Sequence, residues 1–292
     1  MAAASALMTS PLAAATLDTA TVEQASGLKG TFNEAENVFK IGKPRTDVKI
    51  EIDGWPMPAF MGLGSWAAFT PAHDGQVMMM GDTVVFEDEV NPAMSVAFDA
   101  GLEVTALHNH FFFDQPKVYF MHIGGMGNAG VLAAGVKKVY DKITEIRAAN
   151  PVPGKFFAAS IGGSNSITPA PLEGILGLKG QANQGMFKIV IGRQATMHGV
   201  PVSKEMGINT WASFGGTDDA AVVDGDFAMT AGELQVVLRA MRTEGINIVA
   251  IHQHMSDEEP RYFFLHYWGK GAAANLAQSF KRVLDAQAAV AK

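Results

Sequence analysis

Cysteine is missing from this chain altogether, which removes disulfides, thiolate nucleophiles, thiolate metal ligands and cysteine lipidation from consideration. Charge is sparse at 17% of residues, with 22 Lys and Arg against 29 Asp and Glu, and there is no basic tract. A net charge of −7 without a basic run argues against nucleic acid and acidic membrane surfaces as partners. No stretch reaches the roughly 20 apolar residues of a membrane-spanning helix, so no transmembrane segment is expected. Familiar catalytic signatures are lacking too. Gly162-Gly163-Ser164-Asn165-Ser166 is not the G-x-S-x-G of a nucleophile elbow, and no strand-turn-helix context surrounds it. A Rossmann dinucleotide site is not expected either, because Gly130, which follows Gly125-Met126-Gly127, is replaced by Ala274 in the second copy of the pattern described below.

What is present is hydrophobic mass. Over 292 residues, 48% are hydrophobic, enough for one large core or two ordinary ones. Residues 1–30 stand apart. Met1 to Ala15 is small and apolar and ends in Ala13-Ala14-Ala15, which reads either as a secretory signal lacking its basic start or as a disordered tail.

The strongest feature is a duplication. Gly101–Lys142 aligns with Gly245–Ala286 without a gap, and 15 of 42 positions are identical, including three His, one Pro and three Gly. Upstream, Gly81-Asp82 and Glu89 match Gly225-Asp226 and Glu233 at the same offset of 144, and Trp66 and Phe69 match Trp211 and Phe214 at 145. The expected organisation is a first repeat over 31–149, a linker over 150–174 rich in Pro, Gly, Ser and Asn, and a second repeat over 175–292.

Within a unit, Asp47–Asp53 and Gln76–Phe86 alternate as strands, the second broken at Gly81-Asp82. Helices are expected over Glu89–Ala100 and Ala231–Glu244. Leu102–His108 and Lys117–Ile123 read as two neighbouring strands around Pro116, followed by a helix over Asn128–Arg147. The fold class is therefore α+β: an internally duplicated β-rich unit with helices packed on the sheet and the two units in a pseudo-twofold arrangement. The two sheets either join or face each other.

Six of the eight histidines occupy matched positions. His108 and His110 lie two apart on a strand end and so share a face, with His122 on the neighbouring strand; His252, His254 and His266 repeat the set. Three converging imidazoles suit a divalent transition metal such as Zn, Mn or Fe, with a position open for water or substrate. Histidines at a strand end can also serve only as hydrogen-bond partners or interface residues. Three retained in each copy, where flanking apolar residues have drifted, favour the metal.

Glu89 and Glu233 are the carboxylates ranked first to complete the site as catalytic groups, ahead of Asp114 and Glu258. They also suit the positive end of the following helix. Gly125, Gly127, Gly269 and Gly271 lie between strand and helix, where they either admit a ligand to the backbone or make a tight turn. Lys117 and Arg261 face an anionic substrate or, more simply, form salt bridges with Asp114 and Glu258. His73 and His198 are unmatched and read as surface residues, and Met78-Met79-Met80 reads as strand packing rather than a copper site.

The segments VTALHNH…P…YFMHIGG.G and IVAIHQHM…EPRYFFLHY.G.G, with GD…E and W..F upstream, resemble a bacterial family of unknown function named after the mycobacterial lipoproteins LppY and LpqO. The resemblance covers roughly Val38 to Ala288. It implies the duplication and export from the cytoplasm, but this chain has no cysteine to acylate. The functional expectation is a metal-dependent enzyme, in the first place a hydrolase, acting on a small polar or anionic substrate. The alternative is an extracytoplasmic metal- or small-ligand-binding protein without catalysis. Location follows the resemblance: periplasmic or secreted, otherwise cytoplasmic. Whether the two histidine sets make one composite site or two is not decided by sequence.

Overall fold

The duplicated sequence folds as a duplicated structure. The computed structural model describes residues 17–155, 157 and 160–291. In the first unit, α1 (Thr19–Ser26) precedes β1 (Gly30–Asn33), β2 (Val38–Pro44), β3 (Glu51–Ile52), β4 (Trp55–Pro56), β5 (Gly64–Pro71) and β6 (Val77–Phe86). Then come α2 (Glu87–Asp99), β7 (Glu103–His108), β8 (Asp114–Gln115), β9 (Val118–Gly127) and α3 (Ala129–Ala149). The second unit repeats this order. It runs α4 (Pro169–Leu176), β10 (Gln181–Asn183), β11 (Met186–Gly192), β12 (Ala195–Met197), β13 (Val200–Val202), β14 (Asn209–Gly216) and β15 (Ala221–Thr230). It closes with α5 (Ala231–Thr243), β16 (Asn247–His252), β17 (Glu258–Glu259), β18 (Tyr262–Gly271) and α6 (Ala273–Val290).

Six strands from each unit form one 12-stranded sheet in the order β1-β2-β5-β6-β9-β7-β16-β18-β15-β14-β11-β10. The two units therefore join edge to edge. The seam is β7 against β16, antiparallel, through the single pair Leu107 and Ile251. Side chains alternate across each strand, and the alternation assigns the faces. Met79, Val85, Leu107, Met121 and Ile123, with Ile251 and Leu265 from the second unit, point into the core under the helices. Val84, Phe86, Val118 and Phe120 point the other way, into a small core capped by the three-stranded sheet β4-β3-β8. Ala228, Tyr262 and Phe264 do the same beneath β13-β12-β17.

Several boundaries move from the sequence expectation. Val77–Phe86 is one unbroken strand, because Gly81 is paired with both Ala67 and Ile123 inside the ladder. Of Asp47–Asp53 only Glu51–Ile52 is strand, and Asp53 and Gly54 take positive φ in the turn to β4. The proposed tail 1–30 contains α1, whose Val22 is fully buried in the main core; Met1–Ala15 itself lies outside the described residues. The proposed linker 150–174 contains most of α4, and Ser166 bridges Thr217. These two helices extend the repeat beyond the alignment read from sequence: Gly27-Leu28-Lys29-Gly30 recurs as Gly177-Leu178-Lys179-Gly180. In each copy the glycine at the helix end adopts the left-handed conformation, and the lysine reaches back 2.6 Å to Glu23 or Glu173.

Candidate metal centre

Pairing register brings the histidines together with a carboxylate the motif reading did not select. In the first unit one cross-strand row reads Trp66, Asp82, His122, Ala106. In the second it reads Trp211, Asp226, His266, Ala250. Asp82, His122 and His108 share a parity with Phe120, so they lie on the face away from the main helices. A bulge in β7 between Val104 and Ala106, repeated in β16 between Ile248 and Ala250, sets this register. His110 follows on the loop and stacks on Phe120 with ring centroids 3.3 Å apart; His254 stacks on Phe264 at 3.6 Å.

Spacings within each set are short. His122 Nε2 is 3.1 Å from His108 Nε2, and His254 Nε2 is 3.0 Å from Asp226 Oδ2. Ligand atoms of Asp226, His252 and His254 all lie within 4.8 Å of one another. Two donors held about 2.1 Å from one ion would be roughly 3.0–3.4 Å apart, so these spacings have the scale of a shared ligand sphere. The other ring nitrogens point outward. His254 Nδ1 is 3.1 Å from the Gly207 carbonyl and His266 Nδ1 is 3.1 Å from the Gly225 carbonyl. A proton on each Nδ1 leaves the Nε2 lone pair facing inward, the arrangement outer hydrogen bonds impose on metal-ligating imidazoles.

The centre is also short of hydrogen-bond partners. Asp82 Oδ1, Asp226 Oδ1 and His252 Nε2 are buried and unpaired, and the two aspartates are only 8% and 3% exposed. Burial pushes the Asp226 carboxyl above its ordinary range, even against the pull of His266, His254 and His252. Burial pulls His252 below its usual value, and does the same to His110 with His108 adding to the effect. Imidazoles beside a buried acid offer a donor set of three nitrogens and one oxygen, open to solvent at His110 and His254.

The family description Domain of Unknown Function (DUF1259) matches residues 20–142 and again 170–286. The chain belongs to this family. Its two matched regions coincide with the two structural units, and each carries one complete Asp-His-His-His set. No curated protein matches the chain. Among solved structures, the trimeric bacterial microcompartment shell protein PduB is 9% identical with a TM-score of 0.23, covering 87% of this chain and 88% of that one. The double-ringed trimeric shell protein MSM0271 from the RMM microcompartment is 11% identical with a TM-score of 0.19, covering 75% and 86%. Overlap this low carries no argument.

In this family member the other residues selected from sequence lie elsewhere. Glu89 is fully buried at the start of α2, where its carboxylate takes Arg45 through two bonds of 2.6 Å, Arg147 Nε at 2.7 Å and the Phe86 N–H at 2.9 Å. Glu233 likewise binds Arg193, Gln287 and the Thr230 N–H. Both close the helix N-terminus and anchor arginines, and neither joins the histidines. Gly125 and Gly269 sit on the helix face. A Cβ there would come 3.0 Å from Leu132 and 3.2 Å from Leu276, so these glycines let helix and sheet approach. Gly127 and Gly271 end the same strands before the helices, and Asn128, not a ligand, caps α3. Asp114 and Glu258 accept the backbone N–H of Val118 and Tyr262 rather than pairing with Lys117 and Arg261. Arg261 instead donates to the Ser256 carbonyl, and Lys117 is exposed. Met79 is buried while Met78 and Met80 are exposed, and His73 and His198 lie at the surface. The Gly-Asp pairs were visible in the alignment; only strand register reveals that their aspartates face the histidines.

Proposed function

We propose that each unit binds one divalent transition metal through Asp82, His108, His110 and His122 or through Asp226, His252, His254 and His266, and that the chain is a metal-dependent hydrolase. The observation that carries this reading is the pair of unpartnered buried atoms, Asp226 Oδ1 and His252 Nε2, in a cluster whose ligand atoms lie within 4.8 Å. A buried carboxylate oxygen without a partner is costly, and a cation supplies what the protein does not. When bound, such an ion acts as a Lewis acid and lowers the pKa of its water toward about 7. If three side chains ligate, the fourth is left to accept a proton; His266, whose Nδ1 lies 3.1 Å from the Gly225 carbonyl, would take that role through Nε2. The half-open face admits a small substrate. We further place the chain with the LppY/LpqO-type proteins and outside the cytoplasm, on the motif resemblance given above.

Elemental mass spectrometry of the untagged full chain tests the reading. About two equivalents of Zn, Mn or Fe are expected, falling to about one in His252→Ala/His254→Ala and in His108→Ala/His122→Ala, with folding checked by circular dichroism. Hydrolysis of p-nitrophenyl acetate or p-nitrophenyl phosphate by the loaded wild type, lost in the combined variant, supports the enzyme. Metal without turnover favours a binding protein. A chain that neither carries nor takes up any of the three metals overturns the centre.

A further inference from the structure

Beside Asp226 and His254 lies a cavity of about 550 Å³ bounded by Lys188, Lys204, Asn209 and Trp211. Its cations are unevenly committed. Lys179, also at its edge, is held 2.6 Å from Glu173, whereas Lys204 stands 3.4 Å from the exposed Glu205, which lines the same cavity. Lys188 lies over the Trp211 ring, its Nζ 4.0 Å from the centroid. The same device recurs in the first unit, where Lys40 Nζ stands 4.2 Å over Trp66.

Position makes this repetition informative. Trp66 is the cross-strand neighbour of Asp82, and Trp211 of Asp226, so each lysine–tryptophan pair stands next to the carboxylate of its histidine set. Neighbouring residues on this face have diverged: Gly42 corresponds to Val190 and Met80 to Asp224. An exposed lysine on a half-buried tryptophan adds only about 0.5–1 kcal/mol to stability, too little to account for its retention beside the site in both copies.

We infer that this cavity is the anion subsite of the centre proposed above. Its ligand is a small organic anion, a carboxylate or a phosphate monoester, whose oxygens take Lys188 and Lys204 while its carbon body lies against Trp211. The bond next to the anionic group then faces His254 and Asp226. Lysine supplies a mobile point charge for this purpose rather than a fixed fork, which suits a ligand that must enter and leave. The inference rests on the metal-centre reading for its chemistry, but its binding step is measured separately.

The test titrates the full chain with benzoate, phenyl phosphate and neutral benzyl alcohol, following tryptophan fluorescence, with metal content measured on the same samples. Binding of at least one anion is expected, weakening with added salt and at least tenfold weaker in Lys188→Met/Lys204→Met, whose metal content stays at the wild-type level. Benzyl alcohol should not bind detectably. Which anion binds distinguishes carboxylate from phosphate chemistry. Equal anion affinity in the double variant, or no anion binding by metal-loaded wild type, overturns the subsite. Lysine-dependent anion binding by a chain without metal would overturn the metal centre and leave the subsite standing.

Discussion

The Asn91 side chain of the first unit completes the backbone of Ile248 in the second, donating to its carbonyl at 3.0 Å and accepting from its N–H at 2.8 Å. Gln235, at the matching position 144 residues on, does the same for Val104 at 2.8 and 3.2 Å. Strands β7 and β16 meet through one residue pair only, so the rest of their facing edges would otherwise carry unpaired polar groups inside the molecule. Two side-chain amides, exchanged across the pseudo-twofold axis, stand in for the missing ladder.

Asn91→Ala should therefore destabilise the chain by about 2–4 kcal/mol, since Asn91 is 1% exposed and two backbone groups lose their partner. Gln235→Ala, at a less buried position, should cost about 1–2 kcal/mol. Urea unfolding measures both. If Asn91→Ala unfolds at the wild-type midpoint, the amides do not hold the seam.

Gly225 permits the crossing beneath Asp226. A Cβ at this position would meet the Tyr267 hydroxyl at 2.1 Å and the Trp211 carbonyl at 2.2 Å, and that hydroxyl already donates to the same carbonyl. Gly225→Ala is expected to cost about 3 kcal/mol and to displace Asp226, lowering metal content in the second unit but not the first. A fully stable, fully loaded variant would contradict this geometry.

Burial raises the Glu233 carboxyl, but hydrogen bonds from Arg193, the Thr230 N–H and Gln287 outweigh it, holding the group below its ordinary value of 4.5. A carboxyl depressed in the folded state stabilises the fold above its unfolded pKa and loses that contribution as pH falls through the folded value. The stability gap between wild type and Glu233→Gln should thus be largest near neutral pH and narrow below about pH 4. A gap independent of pH from 7 to 3 would show that the charge is not what Arg193 holds.

Glu89→Gln leaves Arg45 and Arg147 buried without their full counter-charge. A loss of about 3–5 kcal/mol is expected, with metal content per folded molecule unchanged. Loss of metal from a folded Glu89→Gln protein would return this residue to the site.

Much of the architecture was legible in the sequence because repetition is a linear property. Two copies of His-x-His, Pro, His and Gly-x-Gly at a fixed offset announced two equal units, and alternation around His108 and His122 announced adjacent strands. The α1 and α4 repeat was harder to see, since Gly-Leu-Lys-Gly recurs at an offset of 150 rather than 144.

The carboxylate of the site was not legible. Glu89 and Asp82 are equally well matched between the copies, and nothing in their order along the chain separates an arginine anchor from a neighbour of histidines. That choice belongs to strand register. Pairing of β6 with β9 places Asp82 opposite His122, while Glu89, in the first turn of the helix, is turned toward Arg45 and Arg147. The sequence by itself determined two copies and, in each, the helix and strands that flank the histidines, because these follow from repetition and local periodicity. Only the tertiary structure decided that the sheets join at Leu107 and Ile251, and that Asp82 and Asp226 stand opposite His122 and His266, because both depend on contacts between strands far apart in the chain.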